Sequence, residues 1–204
     1  FIVDPYQAGA GTSHNMNVNE VLANRANELL GEPRGVYVPV HPNDHVNMAQ
    51  STNDTIPTNI RLASLAMLAP LTAACHGLRD ALAAKGEEFD DIVKAGRTHL
   101  QDAMPIRLGQ EFRAYAGSID RGIRRVHDAA DYLRDLGIGG SAVGTGVTVE
   151  PEYPARVVAH LRAITALDLR VGGDRIQLMQ SMGDVAAFSA ALRVLAIDLS
   201  KIAS

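Results

Sequence analysis

The sequence predicts a mainly α-helical protein in which long helices pack as a bundle, beside a smaller N-terminal region of loops and helix. Apolar residues recur at steps of three or four along most of the chain, as they do on one face of a helix. Sustained alternation of apolar and polar residues does not compete with this period, apart from a possible short strand at Val36–Val40. A long helix is only marginally stable alone, so the longest ones need neighbouring helices.

The first predicted element is a helix over about residues 18–30, followed by Gly31 where a left-handed C-terminal cap is favourable. Its expected apolar face consists of Val21, Leu22, Ala26, Leu29 and Leu30. Proline and glycine recur between Glu32 and Pro57, which predicts ordered loop and short turns. Pro57 then opens a second helix that reaches about Ala84.

The longest predicted helix begins at Pro105. Its continuous apolar stripe is Leu108, Phe112, Tyr115, Ile119, Ile123, Val126, Ala130 and Leu133. A glycine cluster between Gly137 and Gly146 predicts a tight turn between bundle helices, with no strand before it, and a shorter helix follows from Pro154 to about Thr165. The segment 176–204 is apolar on most of its circumference, which predicts a helix surrounded by protein on several sides.

Composition excludes several classes of partner. The formal net charge is −4, with 19 basic and 23 acidic residues, and no basic run is interleaved with aromatics, so nucleic acid is not expected as a partner. A single cysteine, Cys75, allows no internal disulfide and no thiolate metal cluster, which suits a cytoplasmic protein. The apolar stretch from Val185 to Ile202 carries Arg193, Asp198 and Lys201. These charges are costly in lipid, so no membrane partner is expected.

Three polar stretches interrupt the apolar pattern, each ahead of a predicted helix. They are Gly9-Ala10-Gly11-Thr12-Ser13, Gln50-Ser51-Thr52-Asn53-Asp54 and Gly96-Arg97-Thr98-His99-Leu100-Gln101-Asp102. Hydroxyls, amides and the free N–H groups of helix N-termini together suit a small anion. The three stretches therefore predict a carboxylate-binding site.

Each stretch also has a structural interpretation. Ser13 or Asn15 could cap the first helix, a role that Thr12 as a ligand-binding residue does not exclude. Only one of Ser51, Thr52 and Asn53 is needed as a cap, and the surplus favours a site.

His99 lies between polar neighbours, and an imidazole can exchange protons or orient a charged substrate near neutral pH. Arg97 beside it could instead pair with a carboxylate such as Asp102 or Glu111.

Two other patterns are weaker. His41 and His45 have the spacing of shared metal ligands on a helix, but Pro42 and Asn43 make that helix doubtful and no third ligand is evident, so no metal site is expected. The glycine cluster lacks the letters of a phosphate-binding loop, since Ala142 and Thr145 occupy positions that would require glycine and lysine.

Together the stretches resemble the fumarase and aspartase superfamily, in four long motifs in the order of that family. The motifs are residues 7–21, residues 42–47 with 50–54, residues 96–103 with 108–112, and residues 142–146. Ala10 in the second place of the first motif and Leu100 after His99 resemble the aspartase branch, the aspartate ammonia-lyases, whereas His41 before Pro42 resembles class II fumarase.

The resemblance implies a helical bundle of the family's type and reversible elimination of ammonia from L-aspartate to give fumarate, without a cofactor. It implies that Thr12, Ser51 and Thr52 hold the carboxylate next to the reacting carbon, that Asn53 and His99 bind the amino group, and that Thr98 binds the other carboxylate. Thr98 and His99 are thereby the expected catalytic pair. Fumarate hydratase, acting on L-malate, and a catalytically inactive dicarboxylate-binding scaffold stay open.

The family's general base is a serine on a glycine-serine-serine loop, and this sequence contains no such tripeptide. The chain begins at Phe1 and ends in an apolar helical pattern, so we expect a piece of a longer protein, inactive alone, with the base outside it. Residues 1–56 are then the last part of an N-terminal domain with substrate-binding loops, and residues 57–204 part of the central bundle. The resemblance also implies a homotetramer with each active site built from three subunits.

Overall fold

The computed structural model describes residues 4, 6 and 10–204, and the prediction of a mainly α-helical, long-helix bundle protein is confirmed. The helices are α1 (Thr12–Leu29), α2 (Thr52–Glu88), α3 (Leu108–Asp131), α4 (Tyr153–Thr165), α5 (Arg175–Gln180) and α6 (Gly183–Ala203). The strands are β1 (Val93–Thr98), β2 (Gln101–Arg107), β3 (Asp135–Leu136) and β4 (Arg170–Val171), with a π-turn at Pro42–Val46 and a 3-10 turn at Tyr132–Arg134. Residues 7–9, which begin the first motif and include Gly9 of the first polar stretch, lie outside the described residues.

The chain divides into two compact units. The first combines the residues up to Ala63 with Arg134–Met182, and the second combines Ser64–Leu133 with Gly183–Ser204, so that the boundary falls inside α2. The assignment of residues 1–56 and 57–204 to an N-terminal and a central domain stays a prediction.

In the first unit, α1 buries asparagines and exposes leucines. Its buried residues are Asn15, Asn19, Ala23 and Asn27, which recur every four positions. The predicted apolar face is wrong, since Leu22 is 51% and Leu29 71% exposed. The buried amides have partners: Asn27 donates to the Val40 carbonyl at 2.9 Å and accepts from the Val40 N–H at 2.8 Å, so their burial leaves no polar group unsatisfied. The predicted strand at Val36–Val40 is absent, because this segment bonds to a side chain instead.

The two ends of α1 are set by glycines. Gly31 has φ +87°, as predicted for the C-terminal cap. At the other end the cap is Gly11, with φ +83° and no side-chain cap bond. Capping by Ser13 or Asn15 is therefore wrong.

Helix α2 begins at Thr52, five residues before the predicted start at Pro57. Ser51 Oγ accepts from the Asn53 N–H at 3.2 Å, and Asp54 Oδ1 accepts from the Ser51 N–H at 2.9 Å. This reciprocal pair of cap bonds starts the helix. Pro57 lies in its second turn, so the proline is a poor marker of the start.

The remainder of the first unit surrounds the glycine-rich loop 137–152. Strand β3, which pairs in parallel with β4, lies directly before it, so the prediction that no strand comes before the glycines is wrong. Helix α4 matches its prediction within one residue at the start. The predicted single helix over 176–204 is instead α5 and α6, which are separated by Ser181 and Met182.

The second unit contains α3 packed against α6. The predicted stripe is confirmed along most of its length, since its buried members are Ile119, Ile123, Val126, Ala130 and Leu133. At the crossing, a Cβ on Gly122 would lie 2.7 Å from Leu195 Cδ1, so the glycine allows close approach of the two helices.

A β-hairpin in the second unit replaces a predicted helix start. Strands β1 and β2 pair antiparallel, with Val93 opposite Arg107 and Thr98 opposite Gln101, so the third polar stretch forms a hairpin and does not precede a helix directly. Helix α3 starts at Leu108, three residues after the predicted Pro105. The hairpin residues are all exposed or half-buried, and neither strand shows regular alternation, so the sequence carries no period-two signal.

Two long helices leave much of their apolar surface uncovered in the described chain. In α6 the buried residues are Phe188 and Leu195, and Ile197 is 57% exposed, so the described residues of this chain do not by themselves supply the protein predicted on several sides of this helix. By length and composition α2 could cross a membrane, a test that core helices of soluble proteins also pass, and 22% of its apolar window is buried.

Candidate active site

The first two polar stretches meet at the N-termini of α1 and α2, within the first unit. A Cβ on Gly11 would lie 2.6 Å from Ile56 Cγ1, and Asn15 Nδ2 donates to Thr52 Oγ1 at 3.4 Å. Only glycine permits both this approach and the positive φ. Thr12 follows as the first residue of α1 and is exposed. The structure thus brings the first turns of both helices together, where their dipoles favour an anion.

The hydroxyls of Ser51 and Thr52 each accept one hydrogen bond from the protein. Ser51 Oγ accepts from the Asn53 N–H, and Thr52 Oγ1 accepts from Asn15 Nδ2. Each hydroxyl keeps its own proton. Both side chains are half-buried, so two O–H donors remain for a ligand such as a carboxylate.

The Asn53 side chain offers a ligand a hydrogen-bond acceptor, whereas Ser51 and Thr52 offer donors. Its Nδ2 donates to the Ala142 carbonyl at 2.7 Å, across to the glycine-rich loop. This bond assigns the amide orientation, and the exposed Oδ1 remains as an acceptor. An acceptor beside two donors suits a ligand that carries both an ammonium group and a carboxylate.

Asp54 is an important residue whose role sequence reasoning missed. It is fully buried and also accepts from the N–H groups of Gly139 at 3.0 Å and Ser141 at 2.9 Å through Oδ2. Burial raises the pKa of this carboxyl, and the N–H groups of Ser51, Ser141 and Gly139 act in the opposite direction. Its position as the third residue of α2, three after Ser51, is the sequence signal of a capping pair.

A cluster of three asparagines, Asn15, Asn19 and Asn47, lies next to the site. Sequence reasoning did not identify this cluster either. Asn47 Oδ1 accepts from Asn15 Nδ2 at 3.2 Å and from Asn19 Nδ2 at 2.9 Å, which ties the loop before α2 to α1. The four-residue spacing of asparagines along α1 was the available signal.

Asn15 and Asn19 border a cavity of about 240 Å³ within the first unit, lined also by Gln50 and Tyr153. Burial raises the pKa of Tyr153, and the nearby Asp54 carboxylate raises it further. The Gln50 side chain acts on this pKa in the opposite direction.

Thr98 and His99 belong to the second unit, at the tip of the hairpin. Thr98 ends β1, and His99 and Leu100 form its two-residue turn with φ of +51° and +60°. Asn-Gly is the usual sequence for such a turn. A histidine and a leucine held there, with Leu100 90% exposed, are strained residues of the kind that accompany functional sites. Arg97 pairs with Asp102 at 3.0 Å, as predicted.

The Nδ1 atoms of His41 and His45 both accept hydrogen bonds from backbone N–H groups. His41 Nδ1 accepts from the N–H groups of Asn43 and Asp44, and His45 Nδ1 accepts from the His41 N–H. Within the described part of the chain, no three His, Cys, Asp or Glu side chains gather as a metal site requires.

The family follows from comparison with known proteins. A family model described as "Lyase" matches residues 1–204, and the chain belongs to this lyase family, that of fumarases and aspartases.

The individual relatives include both enzymes. The chain is 47% identical to an aspartate ammonia-lyase of Bacillus subtilis over 205 residues, covering 100% of this chain and 43% of the relative. It is also 47% identical to a class II fumarate hydratase of Neisseria meningitidis, covering 98% of this chain and 43% of the relative.

Among solved structures, a fumarate lyase:delta crystallin from Brucella melitensis bound to cobalt is similar, with TM-score 0.96 and 46% identity. This match covers 100% of the chain and 44% of that protein. The chain therefore spans less than half the length of the relatives it matches.

Proposed function

We propose that the full-length protein is an aspartate ammonia-lyase, which converts L-aspartate to fumarate and ammonia. The observation that carries the proposal is the donor and acceptor pattern at the start of α2: two hydroxyl donors, on Ser51 and Thr52, beside the acceptor Oδ1 of Asn53. An amino dicarboxylate presents the complementary groups. The aspartate ammonia-lyases among the relatives support the same conclusion.

The chemistry requires loss of a proton from the carbon beside a carboxylate. As a base removes that proton, negative charge spreads onto the carboxylate, and hydroxyl protons already directed at it stabilise the charge without reorganisation. The electron pair then forms the carbon–carbon double bond while the carbon–nitrogen bond breaks and ammonia leaves with its electrons. In this proposal Thr12, Ser51 and Thr52 hold the reacting carboxylate.

Asn53 and His99 hold the amino group, and Thr98 holds the second carboxylate. Their assignment rests on the family motifs, and the strained turn at His99 and Leu100 supports it. We place the general base in the part of the protein that corresponds to the rest of its relatives' length.

Class II fumarate hydratase is the second candidate, since the Neisseria meningitidis relative has that activity in its name at the same identity. A hydroxyl can donate to Asn53 Oδ1 as an ammonium does, so the described contacts suit both substrates. An inactive dicarboxylate-binding scaffold would keep the anchoring groups without turnover.

Homotetrameric assembly and a cytoplasmic location are further parts of the proposal. The uncovered apolar surface of α2 and α6 supports assembly, and Cys75, free and buried, suits a reducing compartment.

The test is to follow fumarate by its ultraviolet absorbance, with L-aspartate and L-malate as parallel substrates of the full-length protein. Absorbance that rises with aspartate alone is the expected result. A rise with malate alone would make the protein a hydratase, and binding without turnover of either substrate would favour the scaffold.

A further inference from the structure

The glycine-rich loop and the start of α2 are joined by two neighbouring hydrogen-bonded links. Asp54 accepts from the Ser141 N–H at 2.9 Å, and Asn53 donates to the Ala142 carbonyl at 2.7 Å. Asn53 and Asp54 are adjacent in the chain, as are Ser141 and Ala142. The links therefore close a ring in which neither partner can shift without disturbing the other.

The loop adopts a conformation that needs such support. Gly139 has φ +86° and Ser141 has φ +57°, and a non-glycine residue in this region carries strain that the surroundings must offset. The Asp54 carboxylate receives the N–H groups of both residues on one oxygen. Hydrogen bonds to a charged acceptor are stronger than those between neutral groups, so this carboxylate is well suited to hold the loop.

We propose that Asp54 is a positioning residue, which fixes the loop so that the Ala142 carbonyl holds Asn53 with Oδ1 directed to the substrate's amino group. The inference rests on the proposed function and deepens it. Without the carboxylate the loop relaxes, Ala142 moves, and the Asn53 amide is free to turn its Nδ2 toward the ligand. Asn53 Nδ2 and the ammonium group of the substrate are both hydrogen-bond donors, so the ammonium loses its acceptor.

Both carboxylate oxygens of Asp54 accept hydrogen bonds, so replacing either oxygen disturbs the contacts of this side chain. Oδ1 accepts from the Ser51 N–H at 2.9 Å while Oδ2 serves the loop. In Asp54→Asn one of these oxygens becomes an NH₂ group, which opposes at least one N–H donor. The substitution keeps the volume of the side chain and removes the charge.

The experiment is a double-mutant cycle on the full-length protein with Asp54→Asn, Asn53→Ala and the double variant. We expect Asp54→Asn to lower kcat/KM about 10²-fold, as small misplacements of a binding group do, with helical content and assembly retained. In the Asn53→Ala background the same change is expected to cost less than about threefold, because coupled residues are not additive. Equal losses in both backgrounds, or full activity in Asp54→Asn, would overturn the proposal.

Amide hydrogen exchange reads the link independently of turnover. Exchange at Gly139 and Ser141 is expected to accelerate in Asp54→Asn and to stay unchanged in the control Asp168→Asn, at an exposed carboxylate of the same unit outside the loop. Unchanged exchange in Asp54→Asn would overturn the positioning role. A wild-type protein inactive on both substrates would instead refute the proposed function, and the exchange result would still decide whether Asp54 holds the loop. If Asp54→Asn does not fold, Asp54→Glu displaces the carboxylate by one methylene and enters the same measurements.

Discussion

At the scale of single residues, hydrogen bonds within the protein decide which donor and acceptor groups remain free for a ligand. The sequence does not show these bonds. Ser51, Thr52 and Asn53 are predictable as a polar surplus at a helix start. What each one offers a ligand is not, because it depends on Asn15 and Ala142, which are distant in the chain. The buried face of α1 shows the same limit, since its asparagines are buried only because the segments at residues 40 and 47 satisfy them.

Two features should make glycine necessary at position 11: the positive φ of its backbone and the close Ile56 side chain. Gly11→Ala places a methyl 2.6 Å from Ile56 at φ +83°, and we expect a loss of about 2–4 kcal/mol in the free energy of unfolding, as strain and overpacking add. Gly31→Ala is the matched control, with φ +87° and nothing within 4 Å, and should lose about 1–2 kcal/mol. Urea unfolding measures both. Equal losses would show that the Ile56 contact is unimportant.

His99 allows removal of the imidazole without disturbing its turn. Asparagine tolerates positive φ, so His99→Asn should preserve the hairpin while lowering kcat/KM by about two orders of magnitude or more. Steady-state kinetics on the full-length protein gives the result, and circular dichroism confirms the fold. Normal kinetics in this variant would remove His99 from the site.

At the scale of elements, helices with a strong apolar period were predictable and short polar strands were not. The stripe of α3 and the extent of α4 follow from apolar spacing. The β1–β2 hairpin has no buried face to impose alternation, so its residues look like loop in the sequence. The start of α2 depends on side-chain caps, and a proline one turn later gives a false boundary.

The segment that joins α2 to the hairpin is tied to α3 by Asp90. The hydrogen bond from Arg113 holds the pKa of this carboxyl below its usual value, burial opposes that shift, and Arg107, 2.8 Å away, adds to it. The folded state therefore keeps Asp90 charged to lower pH than the unfolded chain does. The resulting stability is fully present above the unfolded pKa of about 3.9 and is lost as the pH falls through the lower folded value.

Asp90→Asn should consequently lower the melting temperature at pH 7 and leave it nearly unchanged at the acid end of the folded range. Melting curves of both proteins between pH 7 and the acid limit of folding test this. A difference that stays constant with pH would mean that the charge of Asp90 does not stabilise the fold.

At the scale of the whole molecule, the sequence predicted the bundle and protein on several sides of its last helix, though not which surfaces of that helix this chain leaves open. Ile197 on α6 is 57% exposed. In the proposed homotetramer that surface lies between subunits, so Ile197→Glu should dissociate the assembly, because a charge buried at an apolar interface is costly. Sedimentation velocity compares it with Ile164→Glu, a similar change at an 80% exposed position on α4. Assembly that survives Ile197→Glu would exclude α6 from the interface.

The proposed function requires that the site bind an amino dicarboxylate and release ammonia from it. The most direct measurement runs the reaction backwards, with full-length protein, fumarate and ¹⁵N-ammonium in water, followed by NMR. We expect ¹⁵N-labelled L-aspartate to accumulate while no malate forms. Malate without labelled aspartate would contradict this proposal and identify the protein as a hydratase.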